Sequence, residues 1–182
     1  MVFRGFRRSW IARVGCSAAM VVAALGVSAQ PSSALSFKVP LGVVARDFQF
    51  LGVPGRLPAA TYDVRFFNIS RAEDHVLVAL NLGPTCSATI NTVAKAKVFL
   101  EGLPPGGPDP TMFIAAFGSA CPGGSFGGAL FAPPGQRDRG DYTLTPGRTL
   151  YFCDIPDDES GSPHFDLGMV GFIDVFALPA GF

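Results

Sequence analysis

The sequence is short of histidine, cysteine and charge. Its 182 residues include 2 His and 4 Cys, and only 15% are charged. Histidine this scarce, with no Ser-centred nucleophile motif, leaves little for a hydrolase. Four Cys are too few for a disulfide-dense mini-scaffold. Fourteen basic residues balance 14 acidic ones, so no basic excess exists to attract nucleic acid. No Gly-x-Gly-x-x-Gly precedes a helix, which argues against a dinucleotide site. There is no internal repeat and no sign of a second domain. What the chain has in quantity is apolar surface (48% hydrophobic), 22 Gly and 16 Pro. That is too apolar for intrinsic disorder, and the length suits one domain with its own core.

The balanced charge is an average over two unlike parts. Arg4, Arg7, Arg8 and Arg13 open the chain without an acid, and an uncharged run of 14 residues follows from Val14 to Val27. Val27-Ser28-Ala29 then fits a small-x-small cleavage pattern, so residues 1–29 read as an export signal. The run is short for a membrane span, which needs about 20 apolar residues. An uncleaved anchor is the alternative. Arg7-Arg8-Ser9-Trp10-Ile11 weakly resembles a twin-arginine signal. Removing residues 1–29 leaves 153 residues with 10 basic and 14 acidic side chains, a net charge of −4. The expected location is periplasmic or secreted, with no membrane span in the mature chain. Three Cys remain there, Cys86, Cys121 and Cys153. In an oxidising compartment an odd number leaves one without an intramolecular partner.

Residues 30–36 read as a short tether and residues 37–182 as the domain. Strand patterns run over Val43–Leu51, Thr61–Ile69 and His75–Leu82, the last with Val76, Val78, Leu80 and Leu82 on one face. From Ala88 to Glu101 the apolar spacing lies nearer 3.6 than 2, which predicts a short helix. Residues 102–147 contain 11 Gly and 8 Pro in 46 positions. They read as a long loop region carrying short strands at Met112–Phe117 and Gly128–Phe131. Tyr142–Leu144, Thr149–Ile155 and Met169–Leu178 resume the strand pattern. Short strands with turn signals between them predict an all-β antiparallel sandwich or barrel.

Leu144 to Cys153 ends in Tyr151-Phe152-Cys153; His164 follows, then Gly168-Met169-Val170-Gly171. Upstream stand Ala45-Arg46-Asp47-Phe48-Gln49-Phe50, Leu57 to Tyr62, Phe67-Asn68 and His75. In this order of motifs the sequence resembles the cupredoxin (blue-copper, plastocyanin-like) family over roughly residues 38–178. The resemblance implies a Greek-key β-sandwich with one short helix and a Gly/Pro-rich insertion. It also implies one copper ion held by His75, Cys153, His164 and Met169. The chemistry suits that metal, since soft sulfur holds Cu(I) and imidazoles suit both oxidation states. Both His of the chain fall at motif positions, and of the mature chain's two Met, Met112 and Met169, the second is the one that follows Gly. Cys86 and Cys121 flank the helix and loop region and are expected to bridge it, leaving Cys153 unpaired.

The implied role is one-electron transfer with exported redox proteins, without enzymatic activity. Two other readings use the same fold: a copper carrier or chaperone exchanging its ion with a donor or acceptor, and a metal-free interaction domain using the apolar surface of residues 102–136. One departure from the family stands out. Ten residues separate Cys153 from His164, where the family has two to about five. The insertion either bulges outward and returns His164, or displaces it. Asp154, Asp157, Asp158 and Glu159 within or beside it lack the spacing of a calcium loop and read as a solvated surface.

Overall fold

Nine strands and four short helices make up the described part of the chain, residues 38–105 and 110–179 of a computed structural model. These residues belong to one compact unit, Ser36–Phe182. The expected export signal and tether lie outside the described residues. Strands β1 (Val39–Arg46), β2 (Gln49–Leu51), β4 (Ala60–Asn68) and β7 (Arg137–Leu144) form one sheet in the order β2-β1-β4-β7. Strands β3 (Arg56–Pro58), β5 (His75–Leu82), β6 (Ser125–Ala132), β8 (Gly147–Phe152) and β9 (Val170–Phe176) form the other, in the order β3-β9-β8-β5-β6. The architecture is the expected β-sandwich, but its sheets are mixed rather than purely antiparallel: β1 pairs with β4 and β3 with β9 in parallel.

Alternation along the central strands sorts their side chains into two cores. From β5, Leu77 and Ala79 join Val43, Val64, Phe66, Tyr142 and Ile173 between the sheets. Its other face, with Val78, Leu80 and Leu82, packs under the helices together with Leu150 and Phe152 of β8. The apolar face expected for β5 is therefore the outer one, and the strand is buried on both sides because helices cover it.

That helical layer is larger than the sequence pattern predicted. The single expected helix is two, α1 (Pro84–Thr89) and α2 (Val93–Glu101), interrupted so that Thr92 caps α2 by accepting the Lys95 N–H at 3.3 Å. A third helix, α3 (Thr111–Ala120), stands where a loop with a strand at Met112–Phe117 was expected. Gly and Pro averaged over 46 positions hid a ten-residue segment with one Gly and no Pro. Phe113 and Phe117 lie four residues apart on its buried face, where they meet Phe152 and Phe99 at ring-centroid distances of 6.0 and 6.4 Å. The expected strand at Gly128–Phe131 forms, inside the longer β6.

A disulfide joins Cys86 in α1 to Cys121 at the end of α3, closing 35 residues. By the chain-entropy argument a loop of that length contributes about 4 kcal/mol. Cys153 is left as the free, buried thiol.

The expected strand Val43–Leu51 is a hairpin, β1 turning into β2 over Asp47-Phe48. Asp47 takes the left-handed conformation (φ 47°), which a short polar side chain tolerates. This turn carries Phe48 to the end of the sandwich where β5 begins, β8 ends and β9 begins.

Candidate metal centre

The antiparallel register of β5 with β8 and of β8 with β9 gathers three strand ends in one place. His75 is the first residue of β5, Cys153 follows the last residue of β8, and Met169 precedes the first of β9. The Cys153 N–H donates to the Met169 carbonyl at 3.0 Å, extending the β8–β9 ladder by one step. His164 opens a single helical turn, α4 (His164–Leu167), and its carbonyl accepts the Met169 N–H at 2.9 Å. Gly168 links α4 to β9 at φ 129°, with the Phe48 carbonyl so close that a Cβ there would crowd it.

The ten-residue insertion bulges outward and returns His164. Pro156 and Pro163 bridge across its base, and within it the Asp157 N–H donates to the Ser162 carbonyl at 2.8 Å. The His164 N–H donates to the Ile155 carbonyl, also at 2.8 Å. His164 thus sits beside the second residue after Cys153, and the extra length is taken up in a self-contained hairpin.

His75, Cys153, His164 and Met169 are all fully buried. The Nδ1 atoms of His75 and His164 lie 3.1 Å apart, and the Cys153 Sγ is 3.4 Å from the His164 Nδ1. Two imidazole nitrogens and a sulfur therefore point at one small volume, with one ligand atom from each residue inside a 4.8 Å span. Met169 is tied to both Cys153 and His164 through its backbone. The Val76 N–H donates to the Cys153 Sγ at 3.4 Å. Phe48 packs edge-on against the His164 ring at 5.2 Å.

Burial sets the electrostatics. It lowers the His75 pKa to about 4, helped by the neighbouring His164. It lowers His164 as well, opposed by Asp157 and Asp158. Burial pushes the Cys153 thiol up to about 12, against the hydrogen bonds from the Val76 and Ile155 amides. In the metal-free state the cluster is neutral, two imidazoles and a thiol. The His75 Nε2 and His164 Nε2 are buried without a hydrogen-bond partner. A buried neutral thiol beside two converging imidazole nitrogens fits copper, whose preferred protein donors are a thiolate and imidazoles.

Residues around the site that sequence reasoning missed belong to the loop before β5. Glu73 places Oε2 3.5 Å from the His164 Nε2. Burial and the charges of Asp157, Asp158, Glu159 and Asp74 raise its carboxyl above the usual range. Asn68 holds that loop: its Nδ2 donates to the Glu73 and Ala132 carbonyls at 2.7 and 2.8 Å, and its Oδ1 accepts the Ser70 N–H at 2.9 Å. Asn68 appeared in the sequence motif without a role; Glu73 carried no spacing signal at all. The acidic insertion is only partly the solvated surface expected, since Asp157 is buried while Asp158 and Glu159 are exposed.

No protein-family model matches the chain. No curated protein matches it either. Among solved structures it is similar to the dithionite-reduced auracyanin of the photosynthetic bacterium Roseiflexus castenholzii, at 18% identity and a TM-score of 0.46, over 76% of this chain and 97% of that one. Auracyanin A of Chloroflexus aurantiacus, a blue copper protein, gives 18% and 0.45, over 76% and 99%. An azurin from Methylomonas sp. strain J gives 15% and 0.44, over 75% and 97%.

Proposed function

We propose that this protein binds one copper ion through His75, Cys153 and His164, with Met169 as a weak fourth ligand, and transfers single electrons. The observation that carries this reading is the convergence of two imidazole Nδ1 atoms and one thiol, all fully buried, from two strand ends and the helical turn α4. Copper bound there would supply a Cu(I)/Cu(II) couple.

The chain's own groups prepare for it. His75 and His164 remain neutral at physiological pH because burial disfavours their charged forms, so their nitrogens are free to ligate. Cys153 gives up its proton to solvent when a cation binds, and the Val76 and Ile155 amides favour the resulting thiolate. Phe48 and the β-sandwich core keep water off the ligands. A packed environment that holds the same ligands in both oxidation states keeps reorganisation small.

The burial of all four candidate ligands favours a resident ion over the carrier reading, in which the ion must leave to a partner. Of the apolar stretch proposed for a metal-free interaction domain, Phe113, Phe117, Leu130 and Ala132 are buried in packing while Met112 and Phe131 stay exposed. Export before residue 30 and exported redox partners complete the proposal. No helix among the described residues is long and apolar enough to cross a membrane.

Redox cycling of the copper-loaded protein tests it. Electron transfer predicts reversible bleaching and recolouring by one electron per protein, with copper retained through desalting in both states. Copper lost on reduction or oxidation contradicts it and favours the carrier.

A further inference from the structure

The copper reading uses one nitrogen of His164 and leaves the other unexplained. The His164 Nε2 is fully buried, has no hydrogen-bond partner, and faces away from the Cys153 sulfur that its Nδ1 approaches. Around it stand two carboxylates from different parts of the chain: Glu73 from the loop before β5, with Oε2 at 3.5 Å, and Asp157 from the insertion. One ligand atom from each of Glu73, Asp157 and His164 lies within 4.8 Å of the others. Neither carboxylate is a freely solvated surface acid. Asp157 is 8% exposed and the Glu73 side chain 18%. Their outer sides line a groove with Arg46, Asp47, Phe48 and Ser160.

Two carboxylates of like charge, with ligand atoms within 4.8 Å of each other and of an unpartnered imidazole nitrogen, repel one another, and a cation placed between them relieves that repulsion. Arg46 and Arg71 line the groove, but no ion pair joins either one to Glu73 or Asp157 among the described residues. Asp157 accepts hydrogen bonds from the Ser160 N–H, at 2.7 Å through Oδ2, from the Ser160 hydroxyl and from the Glu159 N–H, all neutral donors of its own hairpin.

We propose that Glu73, Asp157 and the His164 Nε2 form a second cation site, on the groove side of the copper ligands, suited to a zinc-class divalent ion. Two carboxylate oxygens and one imidazole nitrogen are a zinc donor set, with the fourth position open to water from the groove. The two carboxylates neutralise the ion's charge. The imidazole favours zinc-class ions over calcium and magnesium, which take oxygen ligands. In the copper-free protein the ring keeps its proton on Nδ1 while Nε2 ligates. When both nitrogens ligate, that proton passes to solvent and the ring bridges the two ions. The site does not require the copper reading, because neither Cys153 nor His75 belongs to it.

Zinc titration of the purified, copper-free protein tests the assignment, with Cys153→Ala used to remove the thiolate. That variant is expected to bind one zinc, and zinc-edge X-ray absorption should show only nitrogen and oxygen ligands at about 2.0–2.2 Å, without sulfur near about 2.3 Å. Adding Glu73→Gln and Asp157→Asn should weaken zinc by at least about tenfold, since even indirect partners of a metal ligand are worth that much. Glu73→Gln alone, nearly the same shape, should give a partial loss, and thermal unfolding without metal checks that each variant folds. Zinc affinity unaffected by the carboxylate replacements in a folded variant overturns the proposal, as does the absence of zinc binding in Cys153→Ala. The copper reading is judged separately: the Glu73→Gln, Asp157→Asn protein with Cys153 intact should keep its thiolate-to-copper absorption. If that absorption is missing in every variant while zinc still depends on the carboxylates, copper fails and the second site stands.

Discussion

The Nδ1 atoms of His75 and His164 lie 3.1 Å apart although the two residues stand 89 positions apart in the sequence. Neither ring reaches solvent. The two nitrogens are within hydrogen-bonding reach of each other, and burial disfavours the charged form of both rings. The fold maintains this contact by ordinary means: a strand start, a closed hairpin and one helical turn.

A measurable pH dependence follows for the metal-free protein. His75 has its pKa lowered from 6.5 to about 4 in the folded state, chiefly by burial. As pH falls below 6.5 the unfolded chain takes up a proton that the native chain refuses. The stability present above pH 6.5 is therefore lost progressively down to about pH 4, by about 3 kcal/mol for this group. Denaturant unfolding across that range should show the loss in the wild type relative to His75→Asn. Parallel pH profiles for the two proteins would contradict the burial argument.

The disulfide and the metal centre should separate cleanly. Cys86–Cys121 ties α1 to the end of α3 on the outer face of the sheet, away from the two imidazoles. Replacing both Cys with Ala is expected to cost about 3–4 kcal/mol in unfolding free energy. The thiolate-to-copper absorption of that variant should match the wild type. Loss of the absorption in a folded variant would show that the helical layer governs the site.

The insertion should be dispensable for His164. Its hairpin closes at Pro156 and Pro163, and the hydrogen bond that fixes His164 lies outside it, at Ile155. Replacing Asp157–Ser162 with a two-residue Asn-Gly turn removes the Asp157 carboxylate and shortens a loop whose closure costs little either way. Copper absorption should persist, and zinc at the second site should be lost with Asp157. Disappearance of both would mean that the insertion itself holds His164 in place.

The candidate centre was legible in the order of motifs that resembles the cupredoxin family, and alternation adds only which face its strand residues take. His75 shares parity with Leu77 and Ala79, and Cys153 with Tyr151, so each faces the interior wherever the strand is buried. The sandwich and the disulfide were readable for similar reasons of order and alternation. The helix at Thr111–Ala120 was hidden because glycine and proline crowd the segments around it. The parallel pairings were hidden because they are long-range choices that no local pattern encodes. Glu73 was invisible as one of two adjacent acids, with Asp74, in a polar loop. Its position became meaningful only once Asn68 folded that loop against His164.

The central claim is that His75, Cys153 and His164 form one copper site, and the visible spectrum of the copper-loaded protein tests it most directly. One equivalent of Cu(II) added to the purified protein should produce an intense thiolate-to-copper absorption that saturates at one ion per chain and is absent in Cys153→Ser. A protein that stays colourless with Cu(II), or a Cys153→Ser variant that binds copper with unchanged affinity, would contradict the account.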